Sequence, residues 1–201
     1  MNSLLSETAR RVIQIQIVTL VWMSVETVVS LRTAWVARSP ALLGFGGDSA
    51  VELLSAAIVF RHFYLHSHEL HAAERTAKIA GGLLFVLAAF VVFASAVTLL
   101  GHVEAKPSGV GIVLLILAAM IMPWLARQKR RLSAATSSAA LRADAAESAV
   151  CGHLALIALA GLAVNAAWRI GWADPVAAFA LLPLIVREGW EAMKSKPCAA
   201  S

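Results

Sequence analysis

The chain has 201 residues, 60% of them hydrophobic and 14% charged, with a formal net charge of +5 and a mean hydropathy of +0.77. Ordinary globular domains are about 45–50% apolar and about 25% charged, so one soluble core cannot hold this excess, and disorder needs the opposite bias. Two cysteines are too few for a disulfide scaffold or a cysteine-built zinc module, which leaves a bilayer as the solvent that suits the composition.

A spanning helix takes about 20 mostly apolar residues, and six stretches are predicted as spans. The first covers residues 12–37 and contains Glu26 and Arg32. Its apolar run continues past Arg10 and Arg11 to full membrane length, which marks an uncleaved span rather than a signal peptide. The second, 41–63, contains Asp48 and Glu52; the third, 79–100, has no charge. The fourth, 109–125, is short and also uncharged. The fifth, 140–166, contains Asp144, Glu147 and Cys151, and the sixth is 175–190. The expected architecture is all-α: one polytopic membrane domain over 1–201, with six transmembrane helices and no soluble domain.

With six spans both termini lie on one side. Thirteen of the seventeen Lys and Arg fall on that side, and Arg32, Arg38, Lys106 and Arg169 on the other. The positive-inside rule then puts both termini in the cytoplasm. The net charge therefore needs no nucleic acid: the run RQKRR, Arg127 to Arg131, directly follows the fourth stretch and is expected to hold that helix end at anionic headgroups.

The acids inside the spans carry the chemistry. An acid at a span centre costs about 2.5–3.5 kcal/mol on insertion scales, and such residues mark ion paths. Asp48 and Glu52 are four apart, so both carboxylates share a helix face. Glu147 and Cys151 have the same spacing; Asp144 roughly shares their face, and His153 is turned away. If the second and fifth helices pack antiparallel, Asp48, Glu52, Glu147 and Cys151 form four corners of one divalent-metal site. A tetrahedral site takes four such donors at about 2.0–2.3 Å, and a thiolate favours zinc or cadmium over magnesium or calcium. The rival reading, pairing with basic residues, finds no Lys or Arg in the second stretch before Arg61, nor in the fifth after Arg142. Glu26 is either a proton relay or fifth ligand, or the ion-pair partner of Arg32, and Asp144 is a further relay candidate.

These segments resemble the cation diffusion facilitator family of divalent-metal transporters. SPALLGFGGDSAVELLSAAIVF is similar to the family's second helix, SSAALRADAAESAVCGHLALIALAG to its fifth and WADPVAAFALLPLIVREGWEAM to its sixth. The resemblance runs from about Ser39 to Met193 and is nearest to the short branch without the C-terminal cytoplasmic domain, like transmembrane protein 163 of animals. It implies six helices with paired ligands one turn apart on helices two and five. The commonest family pair on helix five is His followed by Asp; Glu147 and Cys151 stand there instead and keep donor character. The missing domain implies a homodimer held through membrane helices.

Such family members often bind a second metal in the cytoplasmic loop between helices two and three. Here that loop reads RHFYLHSHELHAAER and offers His66, His68, His71 and Glu74. A metal-collecting loop and a solvated turn whose histidines buffer protons both stay open. Elsewhere, Asp174 before Pro175 reads as a helix N-cap, Pro183 as a kink, and Gly81-Gly82 and Gly109-Val110-Gly111 as close-packing positions.

The function expected is a secondary transporter that exports a divalent metal, zinc above Cd2+, Co2+, Fe2+ or Mn2+, in exchange for protons. Its expected location is the bacterial inner membrane. Carboxylates and thiols ligate metal when deprotonated, so metal and protons compete for the same atoms. The alternative is a membrane-embedded metal-binding or helix-assembly module without net transport. No nucleophile–base pair or nucleotide loop suggests an enzyme, and no organic cofactor is expected.

Overall fold

In a computed structural model the described residues are 2–65, 70–101, 103–136 and 139–194. They form six helices and no strand: α1 (Asn2–Ala37), α2 (Pro40–Leu65), α3 (Leu70–Leu99), α4 (Gly109–Thr136), α5 (Ala139–Trp168) and α6 (Ala173–Lys194). Each expected stretch falls within one helix, apart from Leu100, which lies in the turn after α3. Four helices are long and apolar enough to cross a membrane: α1, α3, α4 and α5. At about 1.5 Å per residue, α2 with 26 residues and α6 with 22 also exceed a hydrocarbon core of about 30 Å. Acids make those two less apolar.

Lipid, not water, is the solvent of this surface. The apolar segment Lys78–Leu99 of α3 has a mean hydropathy of 2.5, yet only 22% of it is buried inside the protein. Val86, Phe90 and Phe93 point outward from it. In water such a face would bury itself; in a bilayer it has nothing to hide from.

The helices form a ring in which each packs on its neighbours: α3 on α6, α6 on α5, α5 on α4, α4 on α1, α1 on α2 and α2 on α3. Across the middle, α2 also packs on α5 and α6. Without strong hydrophobic attraction between helices in lipid, small residues decide which backbones approach. Gly46 and Gly47 leave room for Ser30 of α1 and Leu87 of α3, and a Cβ at Gly81 would come 2.7 Å from the Gly189 carbonyl of α6. Gly82 meets nothing within 4 Å, so only the first glycine of that pair serves close packing. Between the helices lies an apolar core that includes Met23, Phe45, Leu115, Met122, Leu154 and Leu181.

The α1–α2 corner fixes the height of α2. Arg38 has φ 54°, and the Ser39 N–H donates to the Ala34 carbonyl at 3.1 Å, a Schellman ending. Ser39 then caps α2, its Oγ accepting from the Leu42 N–H at 3.1 Å, with Pro40 as the first helical residue. Asp174 does not cap its own helix as expected. It lies inside α6, and its carboxylate accepts from Ser39 Oγ at 2.5 Å and from the Ala41 N–H at 3.1 Å. It thus caps α2 from a neighbouring helix.

Candidate metal centre

Asp48 and Glu52 project from α2 toward α5, where Cys151 meets them. One ligand atom from each of the three lies within 4.8 Å of the others, and all three residues are buried. Around a tetrahedral ion with bonds of 2.0–2.3 Å, donor atoms sit about 3.3–3.8 Å apart. Closing the triad onto an ion is therefore a side-chain adjustment of about 1 Å, not a rearrangement of helices.

Glu147 is placed differently from the other three expected ligands. It falls outside the triad and is exposed. It does line a crevice of about 40 Å³ with Asp48, Val51 and Glu52 on one wall and Ala80, Leu84, Glu188 and Ala192 of α3 and α6 on the other. That volume holds an ion with a water or two, since one water needs about 10–15 Å³ on the same measure. Glu188, which sequence reasoning passed over, comes closer than Glu147: its carboxyl is hydrogen-bonded to that of Asp48. Two carboxyls bond in this way only when they hold a proton between them.

A second layer lies behind the triad. Glu26 is fully buried and accepts from Trp22 Nε1 at 2.6 Å, from Ser49 Oγ at 2.7 Å and from the Cys151 thiol at 3.5 Å. Arg32, the alternative partner, is exposed. Glu26 is held by neutral donors, one of which is the sulfur of the triad.

The third layer corrects the reading of the basic run. α4 does not end near Leu125 but continues to Thr136, so the run is helical. Its buried stripe passes through Leu115, Ala118, Met122 and Ala126 to Lys129 and Ser133. Arg127, Arg130 and Arg131 face outward, but Lys129 is 0% exposed. Its Nζ pairs with Asp144 Oδ1 at 2.8 Å and donates to Ser148 Oγ at 2.8 Å. Gln16 Nε2 of α1 donates to Asp144 Oδ2 at 2.8 Å. The acid expected to lack a basic partner thus has one, reached across helices. A serine joins this ion pair to the triad, because Ser148 Oγ donates to Glu52 Oε1 at 3.3 Å.

His66 and His68 lie outside the described residues, as do the side chains of His71 and Glu74. Among comparisons with known proteins, residues 16–196 match the cation efflux transmembrane domain family. No curated protein gives a significant match.

Proposed function

The chain belongs to the cation efflux family of divalent-metal transporters, and we propose that it exports zinc from the cytoplasm in exchange for protons. The observation that carries this reading is the convergence of Asp48, Glu52 and Cys151 from two helices, with donor atoms within 4.8 Å, beside a crevice bearing Glu147 and Glu188. Two carboxylates and a thiolate supply three donors of the type zinc takes, and a carboxylate from the crevice or a water supplies the fourth. The sulfur favours a softer ion over magnesium or calcium.

Proton exchange follows from the same atoms. Each ligand binds metal only after losing its proton. As Cys151 takes up metal, its thiol proton passes to Glu26 Oε1, its acceptor at 3.5 Å. As Asp48 does so, the proton it shares with Glu188 is released toward the crevice. Release of zinc on the far side returns the Glu26 proton to Cys151, while the Asp48–Glu188 pair takes its proton from that side, so the proton of that pair is the one exchanged. Asp144, engaged by Lys129 and Gln16, takes no part in that transfer. In this reading both termini are cytoplasmic, the membrane is the bacterial inner membrane and two copies pair through their membrane helices. His66, His68, His71 and Glu74 are proposed to collect metal at the cytoplasmic entrance.

The test uses purified protein in vesicles with an imposed pH gradient and an internal zinc dye. Asp48→Ala and Glu52→Ala are each expected to reduce flux at least about a hundredfold, since each removes a charged ligand from a buried site. Flux equal to wild type in either variant ends the proposal. Cys151→Asp is expected to keep flux but lower the preference for zinc and cadmium over manganese, read from a metal panel.

A further inference from the structure

A fixed cation in the core of a cation carrier opposes its cargo. Lys129 is such a cation: fully buried, ion-paired to Asp144 at 2.8 Å and separated from Glu52 by a single hydroxyl. An isolated buried ion pair is commonly replaceable by apolar residues without loss of stability, so packing alone gives little reason for a lysine here. The serine between them gives a better one. Ser148 accepts from Lys129 Nζ at 2.8 Å, so its only hydrogen is left to donate, and two acceptors lie in reach. These are the Asp144 carbonyl of its own helix at 3.1 Å and Glu52 Oε1 at 3.3 Å.

Resting on the transport reading above, we propose that Lys129 is a positioning residue that sets metal release, acting on Glu52 through Ser148. With Glu52 free, the serine proton and the lysine charge hold its carboxylate. With Glu52 bound to metal, the serine proton turns to the Asp144 carbonyl, and the lysine charge stays beside the ion. The pair thus competes with the cargo for Glu52, weakening binding and quickening departure. Gln16, bonded to Asp144 at 2.8 Å, keeps the station in place from α1.

At an effective dielectric of about 20, a unit charge about 8 Å from a divalent ion would weaken its binding by far more than tenfold. Asp144 offsets part of that field, which leaves about tenfold as the expectation. Two variants test the proposal without stranding a buried charge. Lys129→Met combined with Asp144→Leu removes both members of the pair, and Ser148→Ala leaves the pair and cuts its connection. Zinc titration and vesicle flux are compared with wild type. The double variant is expected to bind zinc about tenfold more tightly and Ser148→Ala about threefold. In both, KM and kcat fall together, because tighter binding slows release. A purely structural role would lower thermal stability and leave KM unmoved, so that outcome overturns the proposal. It is equally overturned if wild type transports zinc and both variants bind it within about twofold of wild type. A wild-type protein that neither binds nor carries zinc overturns the transport reading, and this inference with it.

Discussion

Asp144 and Glu147 stand three residues apart on one helix, yet they live in different places. Asp144 is buried and fully engaged, by Lys129 on one oxygen and Gln16 on the other. Glu147 looks into the crevice with Asp48, Glu52 and Glu188. The first arrangement compensates its charge inside the protein; the second gathers four acids along one crevice. Burial alone does not mark a compensated acid, because Asp48 and Glu52 are buried as well. What distinguishes them is whether a cation of the chain bonds the acid directly, as Lys129 bonds Asp144.

That contrast can be broken by neutralising each acid in turn and following thermal unfolding in detergent. Asp144→Asn strands a buried lysine and is expected to cost about 3–5 kcal/mol. Asp174→Ala, at the far end of α2, removes two cap bonds and is expected to cost about 1–2 kcal/mol. Gln16→Leu takes one donor from Asp144 and leaves the ion pair, for about 1 kcal/mol. Glu147→Gln is expected to shift stability by no more than about 0.5 kcal/mol in either direction. If Glu147→Gln proved as damaging as Asp144→Asn, the two acids would be equivalent and the contrast false.

Much of this was legible in the residues. The helices follow from apolar run length, and the pairing of Asp48 with Glu52 follows from their four-residue spacing on α2. Cys151 falls into place because α5 packs across α2. Glu147 does not join it; it lines the crevice instead, with Asp48, Glu52 and Glu188. Lys129 escapes a hydropathy reading for a definite reason: such a reading ends the span where hydropathy falls and leaves the basic run as a surface feature. Projecting the stripe of Ala118, Met122 and Ala126 one further turn reaches Lys129, and that signal was available. Glu188 lies seven residues beyond the buried Leu181 on α6 and could have been found in the same way. Its bond to Asp48 could not, because it depends on which helix stands opposite, and that is set by Gly44 of α2 leaving room for Leu181 and Ile185 of α6.

The cap that Asp174 places on α2 has a mechanical consequence. It bolts the start of α6 to the start of α2, through Ser39 and Ala41, and further along α2 the packing continues with Gly44 against Leu181 and Ile185 and Asp48 beside Glu188. Two rods pinned at one end open from the other, like a pair of tongs. Widening of the crevice would then have its fulcrum at Asp174, and the travel would grow with distance from it.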